Sequence, residues 1–445
     1  MLRSNLFDRS CVRLARNPSD VSSSIQQDAL SLELTDHPSA AALERLGAFA
    51  YREFRLLWFG LLVSNIGGWM AILAQGWLVV ELAPNAALAS LYLGLVGFVR
   101  AIPVFALSGF AGALADRRDR RRILAICELA LSLLTLSLGV LAQLGIVRVW
   151  HVLFIAALSA AVSSFEAPTR QSLVSVLVGK RELMNAIGLN SAAFNGPAII
   201  GPALGGIIVS AYGVADCFFI NAASYIAVFA AVLLMKPKPP ADRPQTDIWH
   251  DVIEGFLYVR ANALIFAVVM LSALQALVAR PYIQLLPAFA KAQLGANARQ
   301  LGILMAVAGA GALGGSIATA FIGSRAPRGV LLMITAAASG ALLALLGATH
   351  ALWAAALVLA GLSIAAMLYL GTANTILQTH TPMAMRGRVM SIYTMIFLGF
   401  MPLGSWLLGS IASVTSLPVA FVLGGVALIG AVAIIARRPD IRELR

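Results

Sequence analysis

The feature that most constrains this chain is a succession of apolar runs, each about 20 residues or longer and so able to cross a bilayer as a helix. Twelve are legible, over about 54–82, 88–115, 122–145, 149–167, 186–211 and 214–235, then 262–289, 299–323, 328–348, 351–375, 386–411 and 417–436. Lipid leaves an unpaired backbone group without a partner, so only helices or a closed barrel can span it. These runs are continuous and do not alternate, which favours helices over a barrel. Charged residues are 12% of the chain, against about 25% in a soluble domain, and mean hydropathy is +0.87. The expected fold is an all-α membrane protein of twelve transmembrane helices in two pseudo-symmetric six-helix bundles.

A polar stretch, "MKPKPPADRPQTDIWHDVIEGFLYVRAN", divides six runs from six. Five segments are therefore expected: a disordered cytoplasmic tail (1–50), a first bundle (51–235), a linker (236–261), a second bundle (262–437) and a short tail (438–445). The first tail is Ser-rich and lacks the apolar core of a signal peptide. Within the linker, Ile248, Trp249, Val252, Ile253, Phe256 and Leu257 share a helical face. That spacing predicts an amphipathic helix lying on the membrane surface.

Lysine and arginine set the orientation of such a chain. Placing both termini on one side puts 27 of the 32 Lys and Arg residues there. Both termini are expected to be cytoplasmic, in a bacterial inner membrane. The net charge of +12 then reports topology, and no nucleic-acid partner is expected. Cys11, Cys127 and Cys217 lie far apart, and the five histidines are scattered. Neither a disulfide framework nor a metal site is expected. No phosphate-binding loop or catalytic constellation is legible, so no cofactor, catalytic residue or enzymatic activity is expected.

The halves echo one another. Asp116, Gln171 and Met184 correspond to Ser324, Gln378 and Met390 at nearly constant offsets, as in transporters built from parallel repeats. The hairpin "GALADRRDRRRIL" resembles the signature loop between the second and third helices of the major facilitator superfamily. Gly112, Leu114, Ala115, Asp116, Arg117, Arg120, Arg121 and Leu124 match the pattern, and Asp119 replaces a glycine. The resemblance implies a latch between the halves on the cytoplasmic side. It would be made by Gly112, Asp116, Arg117, Arg120 and Arg121 with the start of span eleven, where Arg386 and Arg388 lie.

In span five, "GLNSAAFNGPAIIGPALGG" resembles the antiporter motif of that superfamily's exporters. Gly188, Gly201, Pro202, Gly205 and Gly206 match, and Pro197 stands where a further glycine is expected. Longer phrases, among them "FEAPTRQSLV" and "RGRVMSIYTMIFLGFMPLG", are similar to the enterobactin-exporter branch of drug and metabolite efflux proteins. Ala198 occupies a position that is arginine in many relatives, so siderophores are not carried over as the implied substrate. The resemblance implies proton-coupled export of a small amphipathic drug, siderophore or metabolite by a monomer in the bilayer. An importer of the same fold and a non-transporting sensor or scaffold are the alternatives.

A proton-coupled carrier needs a titratable group inside the membrane. From Gly255 to Pro439 there is no Asp or Glu, so such a carboxylate belongs to the first half. Glu81 and Asp216 fall at helix ends, and Asp116 at the hairpin. Glu128 and Glu166 are the coupling candidates, and Glu166 can pair with Arg170. Arg100 lies in mid-span two, where it can meet an anion, Gln75 or backbone carbonyls; Arg280 lies in the outer part of span seven. Asn65, Gln75, Arg100 and Gln275 are the expected cavity residues.

Overall fold

The computed structural model describes residues 46–117, 119–179, 181–235, 248–322 and 327–437, with side chains omitted at 108–117, 175 and 248–252. The expected tails and the front of the linker lie outside the described residues. A 3₁₀ turn, Gly47–Ala50, leads into the first bundle. That bundle comprises α1 (Arg52–Leu82), α2 (Ala86–Arg117), α3 (Arg120–Gln143), α4 (Val149–Leu177), α5 (Leu183–Asn195), α6 (Pro197–Ala211) and α7 (Val214–Leu233). The helix α8 (Ile248–Ala261) precedes the second bundle. There α9 (Ala263–Leu274) continues through a π-helical segment, Gln275–Ala279, into α10 (Tyr282–Leu294). Then follow α11 (Ala298–Ile322), α12 (Arg328–Gly347), α13 (Leu352–His380), α14 (Met383–Val414) and α15 (Leu417–Ile435).

Counting α5–α6 and α9–α10 as one crossing each, twelve stretches are long and apolar enough to span a bilayer. No strand occurs among the described residues. Spans four and ten run several residues past their expected ends, to Leu177 and His380. Their last turns leave the apolar window but keep helical hydrogen bonding. An even number of crossings places the start of α1 and the end of α15 on one face, called here the tail face; the opposite face is the distal one.

Two crossings are interrupted, and proline explains both. Pro197 has no N–H to give the Ala193 carbonyl, and the helix breaks at Gly196. Asn65 of α1 supplies the missing donor: its Nδ2 lies 3.0 Å from the Ala193 oxygen. In span seven, the π segment ends at Arg280-Pro281, with the Arg280 N–H donating to the Gln275 carbonyl. Such single-turn π segments concentrate at functional sites.

The bundles meet along two distal seams, α6 with α11 and α2 with α14. Both rest on glycines that let backbones touch, the means by which helices associate in lipid. A Cβ on Gly206 would lie 2.7 Å from the Ala298 oxygen, and one on Gly302 only 2.5 Å from the Pro202 oxygen. The second seam repeats the device, with Gly94 against the Ser405 carbonyl and Gly409 against that of Ser90.

On the tail face, α8 packs on α14. Ile253, Phe256 and Leu257 are more than half exposed, and the Glu254 carboxylate accepts from Arg388 Nη1 at 2.7 Å. An apolar exposed face beside an ion pair suits a helix lying at the lipid surface.

Candidate substrate cavity

Tailward of the seams the bundles enclose a two-lobed cavity. One lobe, of about 740 Å³, runs between α2 and α14 and is bordered by Phe105, Pro168, Met390, Thr394 and Pro402. The other, of about 600 Å³, lies inside the first bundle against Gly68, Thr135, Ser163, Asn221 and Tyr225. Arg100 borders both lobes. Each lobe falls in the size range that takes up drug-sized molecules.

Close packing of α10 on α1 and α2 forms the roof. A Cβ on Gly76 would lie 2.6 Å from Pro287, and one on Gly97 would meet Ser405 at 2.8 Å and Gln284 at 3.8 Å. Arg100 stands one helical turn tailward of Gly97, and its guanidinium donates to the Gln75 side chain. Gln75 also borders the inner lobe. On the opposing wall, Arg280 stands one turn tailward of Gln284. Its guanidinium carbon lies 5.8 Å from the centre of the Phe397 ring.

The carboxylates named from the sequence lie in the first bundle. Glu166 accepts from Arg170 Nε at 2.6 Å, a pair with little exposure, and Arg170 also rests 5.4 Å from the centre of the Phe194 ring. Glu128 is 2% exposed, and its Oε2 has no hydrogen-bond partner. Among the described residues no cluster could hold a metal ion. Cys127 and Cys217 are free thiols.

The other named residues are distributed as follows. Asn65 is spent on the Ala193 carbonyl and does not border either lobe. Gln275 is 1% exposed, with both amide atoms unpartnered, and it too stands behind the lobes rather than on them. In the antiporter-like stretch, Gly201 and Gly205 abut Trp69 and Met70 of α1, while Pro202 and Gly206 abut α11; Gly188 touches nothing in this way. The Gly112, Asp116 and Arg117 side chains lie outside the described ones. Arg120 is buried. Arg121 donates to the Val232 and Leu233 carbonyls at 3.0–3.2 Å, closing the end of α7. Arg386 has a buried Nε without a partner, and Arg388 holds Glu254.

Sequence reasoning missed Tyr225, Thr135, Ser163 and the Tyr393–Phe397 pair, whose rings stack at 6.2 Å. The spacing of Asn221 and Tyr225, four residues apart in α7, was the available signal.

A two-bundle, twelve-span architecture around a cavity of this kind defines a major facilitator transporter. The chain belongs to that superfamily's transmembrane secretion effector family, which matches residues 44–444. It is 29% identical to the staphyloferrin A transporter of Staphylococcus aureus, over 57% of this chain and 62% of that protein, so this match spans less than two thirds of that relative's length. It is 24% identical to the enterobactin exporter EntS of Escherichia coli, over 69% of this chain and 74% of that protein. Among solved structures, a bacterial homologue of the lysosomal transporter Spinster, inward-facing and unoccupied, aligns with a TM-score of 0.62 at 16% identity, over 88% of this chain and 96% of that one. The D-xylose–proton symporter aligns with a TM-score of 0.67 at 14% identity, over 88% and 98%. At such identities these structures speak for the fold alone. The chain is a multi-pass membrane transporter, not an enzyme.

Proposed function

We propose that the protein is a proton-driven exporter of a small amphipathic molecule, working as a monomer in a bacterial inner membrane. The observation that carries this reading is the cavity itself. It lies tailward of two glycine seams, with polar groups at its head and aromatic and apolar walls below. The tail face is the cytoplasmic one, since 27 of 32 Lys and Arg residues gather there. In this conformation the cavity takes substrate from the cytoplasm or the inner leaflet.

Export then requires the seams to part and the tail face to close. The hairpin carrying Asp116 meets the Arg386–Arg388 end of α14 in the closed form, and the meeting dissolves in the form described. Glu128 takes and releases the proton, being a buried carboxyl without a partner in the bundle that holds the carboxylates. Glu166 and Arg170 are the charge pair beside that path. The siderophore handling of two named relatives supports a substrate of similar size and amphipathic character.

The test uses inside-out vesicles carrying an imposed proton gradient, read with a pH-sensitive dye. Lipophilic drugs, siderophores and amphipathic metabolites are added in turn. Substrate-dependent collapse of the gradient, absent with Asp116→Asn, is the expected result. Collapse that persists in that variant removes the latch. A silent panel with inserted, folded protein removes proton-coupled export.

A further inference from the structure

The second bundle has a charge inventory that the transport cycle alone does not require. Between Gly255 and Pro439 the chain has no carboxylate side chain, yet it places an arginine inside span seven. Buried charges are normally paired, and no residue of this bundle can supply a counter-charge to Arg280. Its Nε is buried without a hydrogen-bond partner.

Arg280 has company. One π turn tailward, Gln275 is 1% exposed, and both its amide atoms lack partners. On α14, Tyr393 is 4% exposed, and its hydroxyl lacks a hydrogen bond. The Tyr393 ring stacks on Phe397, the ring over which Arg280 lies. Three donors of three chemical types are thus buried and unused in one patch. A native membrane bundle rarely leaves such groups idle.

The patch faces the cavity head. Arg280, Gln284 and Pro287 recur at helical spacing, and the last two meet Gly97 and Gly76 of the first bundle. Arg100 stands at the matching depth on the other wall. Its guanidinium is held by the neutral side chain of Gln75 and by no carboxylate among the described residues. One guanidinium from each bundle therefore flanks the head of a single cavity.

We propose that the transported molecule is an organic anion with two or more carboxylate-like groups, gripped between Arg100 of the first bundle and Arg280 of the second. Gln275 and Tyr393 supply the neighbouring hydrogen bonds. Charge-assisted hydrogen bonds to guanidinium are the strong ones, and desolvation in the cavity strengthens them further. An apolar or aromatic body occupies the wall of Phe105, Met390 and Pro402 below. The proposal rests on the transporter reading and narrows its substrate class.

The test is equilibrium binding to the full chain in nanodiscs, using radiolabelled naphthamide, naphthoate and naphthalene dicarboxylate. These share one ring system and carry zero, one and two charges. Affinity is expected to rise about tenfold from amide to dicarboxylate or more. Arg280→Gln and Arg100→Gln are each expected to abolish that ladder while leaving naphthamide binding within about twofold. Arg280→Lys is expected to restore part of it.

A flat ladder in the wild-type protein overturns the proposal without recourse to any variant, and so does absence of binding by all three probes. A ladder that survives both glutamine variants overturns the assignment to these arginines. Chloride, exchanged for gluconate, separates an inorganic occupant: chloride binding that needs Arg280, with no preference for the dicarboxylate, overturns the organic anion. Naphthamide counterflow in proteoliposomes keeps the two readings apart. Movement with a flat ladder leaves the transporter standing and removes the anion site. A steep ladder with no movement of any probe does the reverse.

Discussion

Asn65 Nδ2 lies 3.0 Å from the Ala193 carbonyl oxygen, the oxygen that Pro197 leaves without a helical donor. The pairing ties the break in span five to span one. Asn65→Ala leaves that carbonyl unsatisfied, at a cost of about 1–3 kcal/mol. Pro197→Ala offers a backbone N–H in its place, so the double variant is expected to recover most of the loss. Thermal unfolding of the four proteins in nanodiscs measures the coupling; additive losses would show that the two residues act separately.

The Gly206–Gly302 contact keeps the distal seam shut. Gly206→Leu drives a side chain into the Ala298 backbone, 2.7 Å from where its Cβ begins. Overpacking of this kind costs about 1–3 kcal/mol, and here it is paid by the sealed form alone. Labelling of an engineered cysteine at Arg299, read from the distal face, is expected to rise. Net transport is expected to fall about tenfold or more, since the cycle needs both forms.

Glu128 and Glu166 separate in their effects. Glu128→Gln is expected to keep counterflow, which needs no gradient, while gradient-driven accumulation is lost. Equal loss of both activities would place Glu128 in substrate binding instead. Glu166→Gln strands Arg170, whose side chain is 9% exposed. Breaking a buried pair from one side costs roughly 3 kcal/mol, so that variant is expected to unfold at clearly lower temperature than Glu128→Gln.

The Arg388–Glu254 pair is partly exposed, at 29% and 42%, and contributes at most about 1 kcal/mol. Its interest is competition. Arg388 is also an expected partner of the Asp116 hairpin, so Glu254→Gln frees it for the latch. A cysteine at Ser391, which borders the outer lobe, is expected to become less reactive from the tail face in that variant, with the melting temperature nearly unchanged.

The crossings were legible because lipid imposes a length and a composition on each. Pairing of Glu166 with Arg170, and of Arg100 with Gln75, was within reach of helical spacing and depth. The use of Asn65 was not. A polar residue in an apolar run reads equally well as a cavity wall or as a donor to a broken helix, and only the position of Ala193 beside it decides. Gln275 was hidden for a related reason. Its surroundings follow from a π turn, and the sequence "LQALVARP" carries no periodicity that separates five residues per turn from four. Tyr225 and Tyr393 look like packing residues until their neighbours are known.

That π turn has a consequence for how such a carrier changes its cargo. The segment Gln275–Ala279 holds one residue more than an α-helix of the same rise would. Deleting Leu277 would restore regular winding and swing everything beyond it by about 100° relative to α9. Arg280 would turn from the cavity head toward a neighbouring helix while Gln275 stayed in place. No point substitution achieves that rotation. Insertions and deletions of a single codon in span seven are thus a route by which a lineage of these proteins gains or loses a charged cargo in one step, with the rest of the bundle left intact.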